Sequence, residues 1–276
     1  MTRSRNVPAL LAGILVATCI LPLSSLKAEG DNWLTLRKEF FADRPILDQD
    51  ASVIVEAPEK AEDSAVVPVS IYISGRVADK VTAMHVFIDN NPMPLVGHFK
   101  FGSAAGDGAR TFSTRVRFDT FSYIRAVIET SDGRLLMGSK FVKAAGGCSA
   151  PAFKDFAEAM AHTGEMHLKR MEKQQFASQK RSAILMREAQ VMLRHPNYSG
   201  MQMNEATGTY IPARYVRELD VTRAGELIFH LDAGISLSTN PHIRFTYGSA
   251  GEEELAATAK DSDGEVFSAS VPADGS

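Results

Sequence analysis

Short runs of alternating apolar and polar residues, each closed by a turn signal, constrain the fold of this chain most. In the first half the runs are Val66 to Ile73, Val81 to Ile88, Thr111 to Phe118, Tyr123 to Glu129 and Leu135 to Val142. Alternation with a period of two places one face of each run in a core. The Asp132-Gly133 pair between the last two runs is a two-residue hairpin signal. This spacing predicts an antiparallel β-sandwich.

The same pattern returns in the second half. Its predicted strands are Ala183 to Leu193, Tyr210 to Leu219, Leu227 to Leu231, Ile243 to Tyr247, Glu253 to Ala259 and Val266 to Val271. Between the halves, Pro151 to about Gln179 has apolar residues at helical spacing, and Gly164 is expected to interrupt it. The predicted fold class is therefore mainly β, with two sandwich domains at 29–148 and 181–276 joined by a helical linker at 149–180.

The N-terminus has the pattern of an export signal. Arg3 and Arg5 form a basic start, Ala9 to Leu23 is apolar, and Ala28 is a plausible cleavage point. The apolar run is shorter than the roughly 20 residues that span a bilayer. Residues 1–28 are therefore predicted to be a signal peptide of an exported protein, with an uncleaved anchor or a lipoprotein on Cys19 as alternatives.

Charge and length bound the class of function. The chain has 276 residues, with 30 basic and 33 acidic side chains and a net charge of −3. Loss of residues 1–28 would leave 27 basic and 33 acidic side chains, a net charge of −6. This charge balance does not indicate a basic surface that would bind nucleic acid. The length is suited to two domains.

Cys148 is the residue whose side chain is best suited to chemical reaction. Removal of the signal also removes Cys19, so one thiol remains in an oxidising compartment. Cys148 follows Gly146 and Gly147, which we expect to act as a hinge. A reactive or conjugated thiol, an inert exposed thiol and a buried thiol are the three alternatives.

A reactive thiol would need a pKa below its usual value of about 8.5. If Ser149 caps a helix that begins near Pro151, Cys148 lies just beyond the positive end of that helix. Lys143 is close enough in sequence for its ammonium to help lower the pKa of the thiol. The hypothesis therefore predicts an exposed Cys148 with a lowered pKa.

Other chemistry is weakly indicated. His162 and His167 are five residues apart rather than four, and with Glu165 they are interpreted as solvated linker residues rather than a metal site. Phosphate loops, dinucleotide fingerprints and nucleophile elbows are absent from the sequence. A cysteine-protease arrangement would need a histidine beside Cys148, and a mobile glycine loop is poorly preorganised for catalysis. We expect no metal, no cofactor and no enzymatic activity.

The first half contains five motifs that match a known family. They are Val67-Pro68-Val69, Ile88-Asp89-Asn90-Asn91-Pro92-Met93-Pro94-Leu95, Ser122-Tyr123-Ile124-Arg125-Ala126, Thr130-Ser131-Asp132-Gly133 and Phe141-Val142-Lys143-Ala144-Ala145-Gly146-Gly147-Cys148. With these motifs the first half resembles SoxY, the sulfur-carrier subunit of the periplasmic thiosulfate-oxidising system. The last motif resembles the end of that subunit, where the carrier cysteine lies on a swinging arm.

The second half has motifs of its own. They are Arg194-His195-Pro196, Ile211-Pro212-Ala213, Ile235-Ser236 followed by Asn240-Pro241, and Lys260-Asp261-Ser262-Asp263-Gly264. With these motifs the second half resembles SoxZ, the partner of SoxY. The order of the two halves resembles the SoxYZ-like carrier proteins that are associated with quinoprotein dehydrogenases.

The resemblance implies a fold and a role. Both halves would be immunoglobulin-like sandwiches in a periplasmic protein, packed as the separate subunits pack. Cys148 would hold cargo, a sulfur species, as a thioconjugate and present it to partner redox enzymes, including a quinoprotein dehydrogenase system. In SoxY the arm ends the chain, whereas here Ser149-Ala150-Pro151 follows the cysteine. An arm that is tethered at both ends is a loop with less reach.

Two other functions stay open at this point. The chain could be an accessory module that binds a quinoprotein dehydrogenase through its sandwich surfaces, with Cys148 incidental. It could also be a thiol enzyme, which would turn over substrate by itself. An exposed single thiol could in addition join two copies through a disulfide.

Overall fold

The computed structural model describes residues 31–151, 161–171, 185–249, 251 and 253–273. The first half forms α1 (Asp31–Phe41), β1 (Ile46–Leu47), β2 (Val53–Glu56), β3 (Val67–Ile73), β4 (Val81–Ile88), β5 (Leu95–Phe101), β6 (Arg110–Val116), β7 (Ser122–Thr130) and β8 (Leu135–Val142). Short 3-10 turns lie at Ala78–Lys80 and Ser103–Ala105.

The rest of the described chain is also built from strands. They are β9 (Met166–Arg170), β10 (Leu185–Leu193), β11 (Met203–Asn204), β12 (Thr209–Tyr210), β13 (Val216–Arg223), β14 (Glu226–Ala233), β15 (His242–Ser249), β16 (Leu255–Asp261) and β17 (Val266–Val271). The structure confirms the predicted mainly β class and the sandwich architecture. The hairpins at Asp132-Gly133 and Asp263-Gly264 join β7 to β8 and β16 to β17.

Both sheets run through both halves of the chain. The nine-stranded sheet has the order β1-β8-β7-β4-β5-β14-β13-β16-β17, and the six-stranded sheet has the order β2-β3-β6-β15-β10-β9. The halves are joined where β5 pairs with β14 and where β6 pairs with β15. We call this line of cross-pairing the seam. The two sandwiches are therefore fused edge to edge.

Aromatic side chains fill the core at the seam. Phe99 and Phe112 come from the first half, and Phe229 and Phe245 from the second. The ring centroids of Phe99 and Phe112 each lie within 6 Å of the Phe229 ring centroid, at 5.6 and 5.7 Å. These ring contacts join the two halves, and a single apolar cluster therefore includes residues of both.

The helix α1 covers the outer face of the nine-stranded sheet. Phe41 and Phe87 belong to a second apolar cluster on that face, and the Trp33 ring meets the Phe87 ring edge-on at 5.8 Å. Strand β4 is consequently buried on both faces, with Met84 toward the main core and Phe87 toward α1.

The predicted helical linker is wrong in one described segment. Met166–Arg170 is a strand that pairs antiparallel with β10 and extends the six-stranded sheet, with Leu168 buried. Gly164 precedes it in a turn with φ +100°. The remainder of the predicted linker helix, at 152–160 and 172–180, lies outside the described residues, as does the signal at 1–28.

Candidate functional site

Cys148 lies in a tight turn that follows β8 and is fastened to the first half by backbone hydrogen bonds. The Gly146 amide donates to the Asp119 carbonyl and the Gly147 amide to the Phe118 carbonyl, both at 2.8 Å. The Ala150 amide donates back to the Gly146 carbonyl at 3.1 Å and closes the turn. The predicted swinging arm is therefore docked in this structure. We call residues 146–150 the Cys148 turn.

The two glycines have different physical reasons for their places. Gly146 has φ +78°, a left-handed conformation that strains any residue with a side chain. Gly147 instead lacks space, because a Cβ there would lie 2.1 Å from the Ser64 carbonyl oxygen and 2.7 Å from that of Phe118. Gly147 thus lets the turn approach the backbone of the first half closely.

The second half closes the other side of the turn. The Ser199 hydroxyl donates to the Cys148 carbonyl at 2.5 Å and also lies 2.8 Å from the Gln202 Oε1 atom. Ser199 and Gln202 are both buried, and the Gln202 Nε2 atom has no hydrogen-bond partner. Cys148 is accordingly enclosed at the junction of the two halves.

The thiol itself is fully buried, which overturns the expected exposure. Cys148 has 0% relative accessibility. Burial raises the pKa of the thiol to about 12, the Asp119 carboxylate acts in the same direction, and the Arg117 guanidinium opposes both. The predicted lowering of the pKa is therefore wrong for the docked turn, since desolvation outweighs the cation. The ammonium of Lys143 is occupied with Glu59 at 2.8 Å.

Arg117 is the charged residue that organises this junction. Its guanidinium NH1 donates to the carbonyls of Asn197 and Leu237 at 2.6 and 2.9 Å, and NH2 donates to the Thr239 hydroxyl at 2.7 Å. It is 1% exposed, and its Nε atom has no partner. Burial lowers the Arg117 pKa to about 10, which leaves the group protonated at neutral pH. One first-half side chain thus binds three residues from two segments of the second half.

Asparagine and histidine residues complete the network around Arg117. Asn91 donates to the Arg117 carbonyl at 2.7 Å and accepts from the Asp119 amide at 2.9 Å. His195 accepts from the Asn197 amide at Nδ1 and lies 3.4 Å from Asp261 through Nε2. Several residues of the sequence motifs therefore have structural roles, although no motif indicated Arg117, Ser199 or Gln202 as neighbours of Cys148.

The remaining sequence candidates do not join this site. His162 lies 2.8 Å from Glu165 on the surface, and His167 is on the exposed face of β9. Within the described ranges no group of three or more His, Cys, Asp or Glu side chains is placed to hold a metal. The ionisable side chains that act on the Cys148 thiol are Asp119 and Arg117 rather than a histidine. The protease arrangement is therefore not formed in the described structure.

The fold and the buried thiol define a double β-sandwich protein with a thiol-bearing turn at the junction of its halves. The family model for the sulfur oxidation protein SoxY matches residues 37–148, and the model for the sulphur oxidation protein SoxZ matches residues 176–272. The chain thus joins a SoxY domain to a SoxZ domain, in the order that the sequence motifs indicate.

Solved structures give weaker likenesses. SoxY, a sulfur carrier protein from Chlorobium limicola f thiosulfatophilum, is 23% identical over 42% of this chain and 98% of its own, with a TM-score of 0.35. A putative superoxide reductase from Thermotoga maritima is 19% identical over 37% of this chain and 95% of its own, with a TM-score of 0.30. No curated protein matches the chain. In the part of the chain that is described, no helix is long and apolar enough to cross a membrane.

Proposed function

We propose that this chain is an exported sulfur carrier in which Cys148 holds the cargo as a thioconjugate. The observation that carries the proposal is that the SoxY match ends on Cys148, at the glycine turn where the SoxZ half closes over it. Sulfur-oxidation domains on both sides of one thiol favour a sulfur cargo. Export follows from the predicted signal at 1–28, and the periplasm is the proposed compartment.

The proposed chemistry needs a redox partner. Loading joins the Cys148 sulfur to the sulfur of an anionic sulfur species. The thiol proton is lost, and two electrons are released as the new S–S bond forms. A partner redox enzyme accepts those electrons, because the carrier binds no cofactor in this proposal. The carrier itself contributes the thiol and the docking surfaces. A quinoprotein dehydrogenase system is one candidate partner.

Loading also requires the Cys148 turn to open. A thiol with no accessible surface leaves no room for a cargo larger than water, and the raised pKa keeps the thiolate scarce. The bonds that hold the turn to its surroundings are the two amide donations from Gly146 and Gly147 and the hydroxyl donation from Ser199. At about 1 kcal/mol each, they allow a partner to displace the turn at modest cost.

Tethering at both ends sets the form of the open state. The turn is held on one side by β8 and on the other by the chain that continues through Pro151. A loop exposes its tip without swinging freely, so we propose that a partner enzyme approaches the junction and receives Cys148 there. A deep and narrow active site is less suited to this carrier than an open one.

A second candidate is an accessory module for a periplasmic quinoprotein dehydrogenase, with Cys148 incidental. The observation that favours it is the burial of the thiol together with its raised pKa, which are properties of an inert cysteine. In this alternative the continuous sheets provide the functional surface.

Replacement of Cys148 separates the two candidates. Cells that lack the wild-type protein would be supplied with the wild type, Cys148→Ser or Ser139→Ala, whose surface hydroxyl on β8 lies outside the Cys148 turn, and oxidation of reduced sulfur compounds would be measured at matched protein levels. The carrier proposal expects Cys148→Ser to abolish oxidation and Ser139→Ala to retain it. Full oxidation with Cys148→Ser would favour the accessory module. Turnover by the isolated protein would instead indicate a thiol enzyme.

A further inference from the structure

A groove of about 760 Å³ crosses the seam on the outer face of the six-stranded sheet. Strands β3 and β6 of the first half form one wall, and β9, β10 and β15 of the second half form the other. Its lining includes Ser113, Arg115, His167, Met192, Arg194 and His242. Neither half alone could form this groove, because its two walls belong to different sandwiches.

The groove exists because two strands diverge at the seam. β6 and β15 pair through Ser113 with Arg244 and Phe112 with Phe245. The next bridge along β6 joins Val116 to Leu237, beyond the end of β15. The sheet surface therefore opens between Arg115 and His242, and the groove lies over this opening.

Positive charge predominates along the groove. Arg115 is exposed and forms no ion pair with any described residue. Arg194 lies 3.3 Å from Glu165, which is shared with His162. Glu165 is the acidic side chain of the lining, so Arg115 is available for an anionic ligand.

His242 adds a polar group that is not engaged elsewhere. The residue is half-buried, and its Nε2 atom is inaccessible to water and has no hydrogen-bond partner. Burial lowers the His242 pKa, and the neighbouring Arg115 and Arg244 lower it further. A neutral imidazole without a fixed partner can turn to donate to an oxyanion without losing a hydrogen bond.

We propose that this groove binds a small organic oxyanion, with its acid group between Arg115 and His242 and its organic part over Met192. The volume lies within the roughly 300–1,000 Å³ of small-molecule sites and greatly exceeds the space that an inorganic oxyanion fills. A guanidinium provides the directed donors that a carboxylate or sulfonate accepts. This site is independent of Cys148 and of the carrier function.

Titration calorimetry on the mature protein at constant ionic strength tests the site. The probes are succinate for a carboxylate, ethanesulfonate for a sulfonate and sulfate for an inorganic oxyanion. We expect saturable binding of at least one organic probe, stronger than that of sulfate. Arg115→Gln should weaken it by about tenfold or more, since a charge-assisted hydrogen bond is lost.

Two control variants make the result specific. Arg217→Gln removes an exposed guanidinium on the other sheet, with the same change of charge, and should bind as the wild type does. Cys148→Ser should also bind the organic probes as the wild type does. Loss of probe binding in the groove and loss of the carrier function are thereby distinguished. No binding of either organic probe, sulfate binding as strong as theirs, or equal effects of Arg115→Gln and Arg217→Gln would overturn the proposal.

Discussion

The surroundings of Cys148 determine the pKa of its thiol. A cation interacts with it, yet burial and the Asp119 carboxylate dominate and raise its pKa to about 12. The Arg117 guanidinium donates its hydrogen bonds to carbonyls and a hydroxyl of the second half. The reactivity of Cys148 is thus governed by the opening of its turn rather than by a permanently activated thiolate.

Ser199→Ala should make Cys148 more reactive. The variant removes the hydroxyl that donates to the Cys148 carbonyl at 2.5 Å. Loss of about 1 kcal/mol of docking energy raises the open population about fivefold. The rate of alkylation by a small maleimide under native conditions should increase by that factor.

The control for this experiment is Ser139→Ala, which removes a surface hydroxyl that accepts from Gln49 and is remote from the Cys148 turn. Its alkylation rate should equal that of the wild type. Equal rates for Ser199→Ala and the wild type would show that the second half does not hold the turn closed.

His85 should make the protein less stable in mild acid. Burial, followed by the adjacent His98, lowers the His85 pKa from 6.5 to about 4. The unfolded chain therefore binds the proton first as the pH falls, and stability is lost below pH 6.5. From pH 7 to pH 5 the loss from this group is about 2 kcal/mol.

Denaturant unfolding at both pH values checks this, with His85→Gln as the comparison. The variant should show a decrease between pH 7 and pH 5 that is smaller by about 2 kcal/mol. In the wild type the His85 Nδ1 atom is buried without a hydrogen-bond partner, so replacement by glutamine breaks no hydrogen bond at that atom. The same decrease in both proteins would contradict the assignment to His85.

At this scale the sequence indicated some residues of the site and not others. Cys148 and its glycines were identifiable because their type and order along the chain have local meaning. Arg117 and Ser199 were not, since they meet Cys148 only through tertiary packing across 31 and 51 positions of sequence. The burial of the thiol likewise depends on the second half and has no local signal.

Among the elements, the Cys148 turn has the most direct bearing on the proposed carrier function. Gly147→Ala should undock it, because the added Cβ would collide with the backbone oxygens of Ser64 and Phe118. We expect faster alkylation of Cys148 and a loss of stability of about 1–3 kcal/mol. Gly251→Ala, where nothing lies within 4 Å of the new Cβ, is the matched control. Unchanged alkylation in Gly147→Ala would show that the turn tolerates the shift and stays docked.

The strands show where periodicity is informative. The predicted Val66 to Ile73 agrees with the structure because its burial alternates along the strand. The predicted Val81 to Ile88 and Leu135 to Val142 also agree, although both strands are buried over most of their length and alternate poorly. Leu95–Phe101 was missed because Gly97 interrupts the apolar pattern and a register shift beside β4 breaks its alternation. Met166–Arg170 was missed because one buried residue, Leu168, is too little pattern for a strand.

For the whole molecule, we expect the two halves to unfold as one unit, because both sheets run through both of them. Phe229→Ala removes a ring from the second half that contacts first-half rings, and should cost about 3–5 kcal/mol. Trp33, the single tryptophan, reports the first half through its contact with Phe87. The unfolding midpoint followed by Trp33 fluorescence should therefore fall together with that followed by far-UV circular dichroism.

Phe121→Ala is the control, because Phe121 is 46% exposed in the first half and its loss should leave the midpoint unchanged. A Trp33 transition that is unaffected by Phe229→Ala would show that the halves unfold independently. The continuity of the sheets had no signal in the sequence, where each half has its own strands and turns. Pairing between distant edges is decided by the packing of the two halves.

The intact mass of the mature protein tests most directly whether Cys148 carries a sulfur cargo. The protein would be purified from the periplasm of cells oxidising reduced sulfur compounds, with and without reductant, beside Cys148→Ser. We predict an adduct of sulfur atoms or a sulfur oxyanion that reductant removes and that the serine variant lacks. A wild-type protein with only the free thiol under these conditions would contradict the carrier function and favour the accessory module.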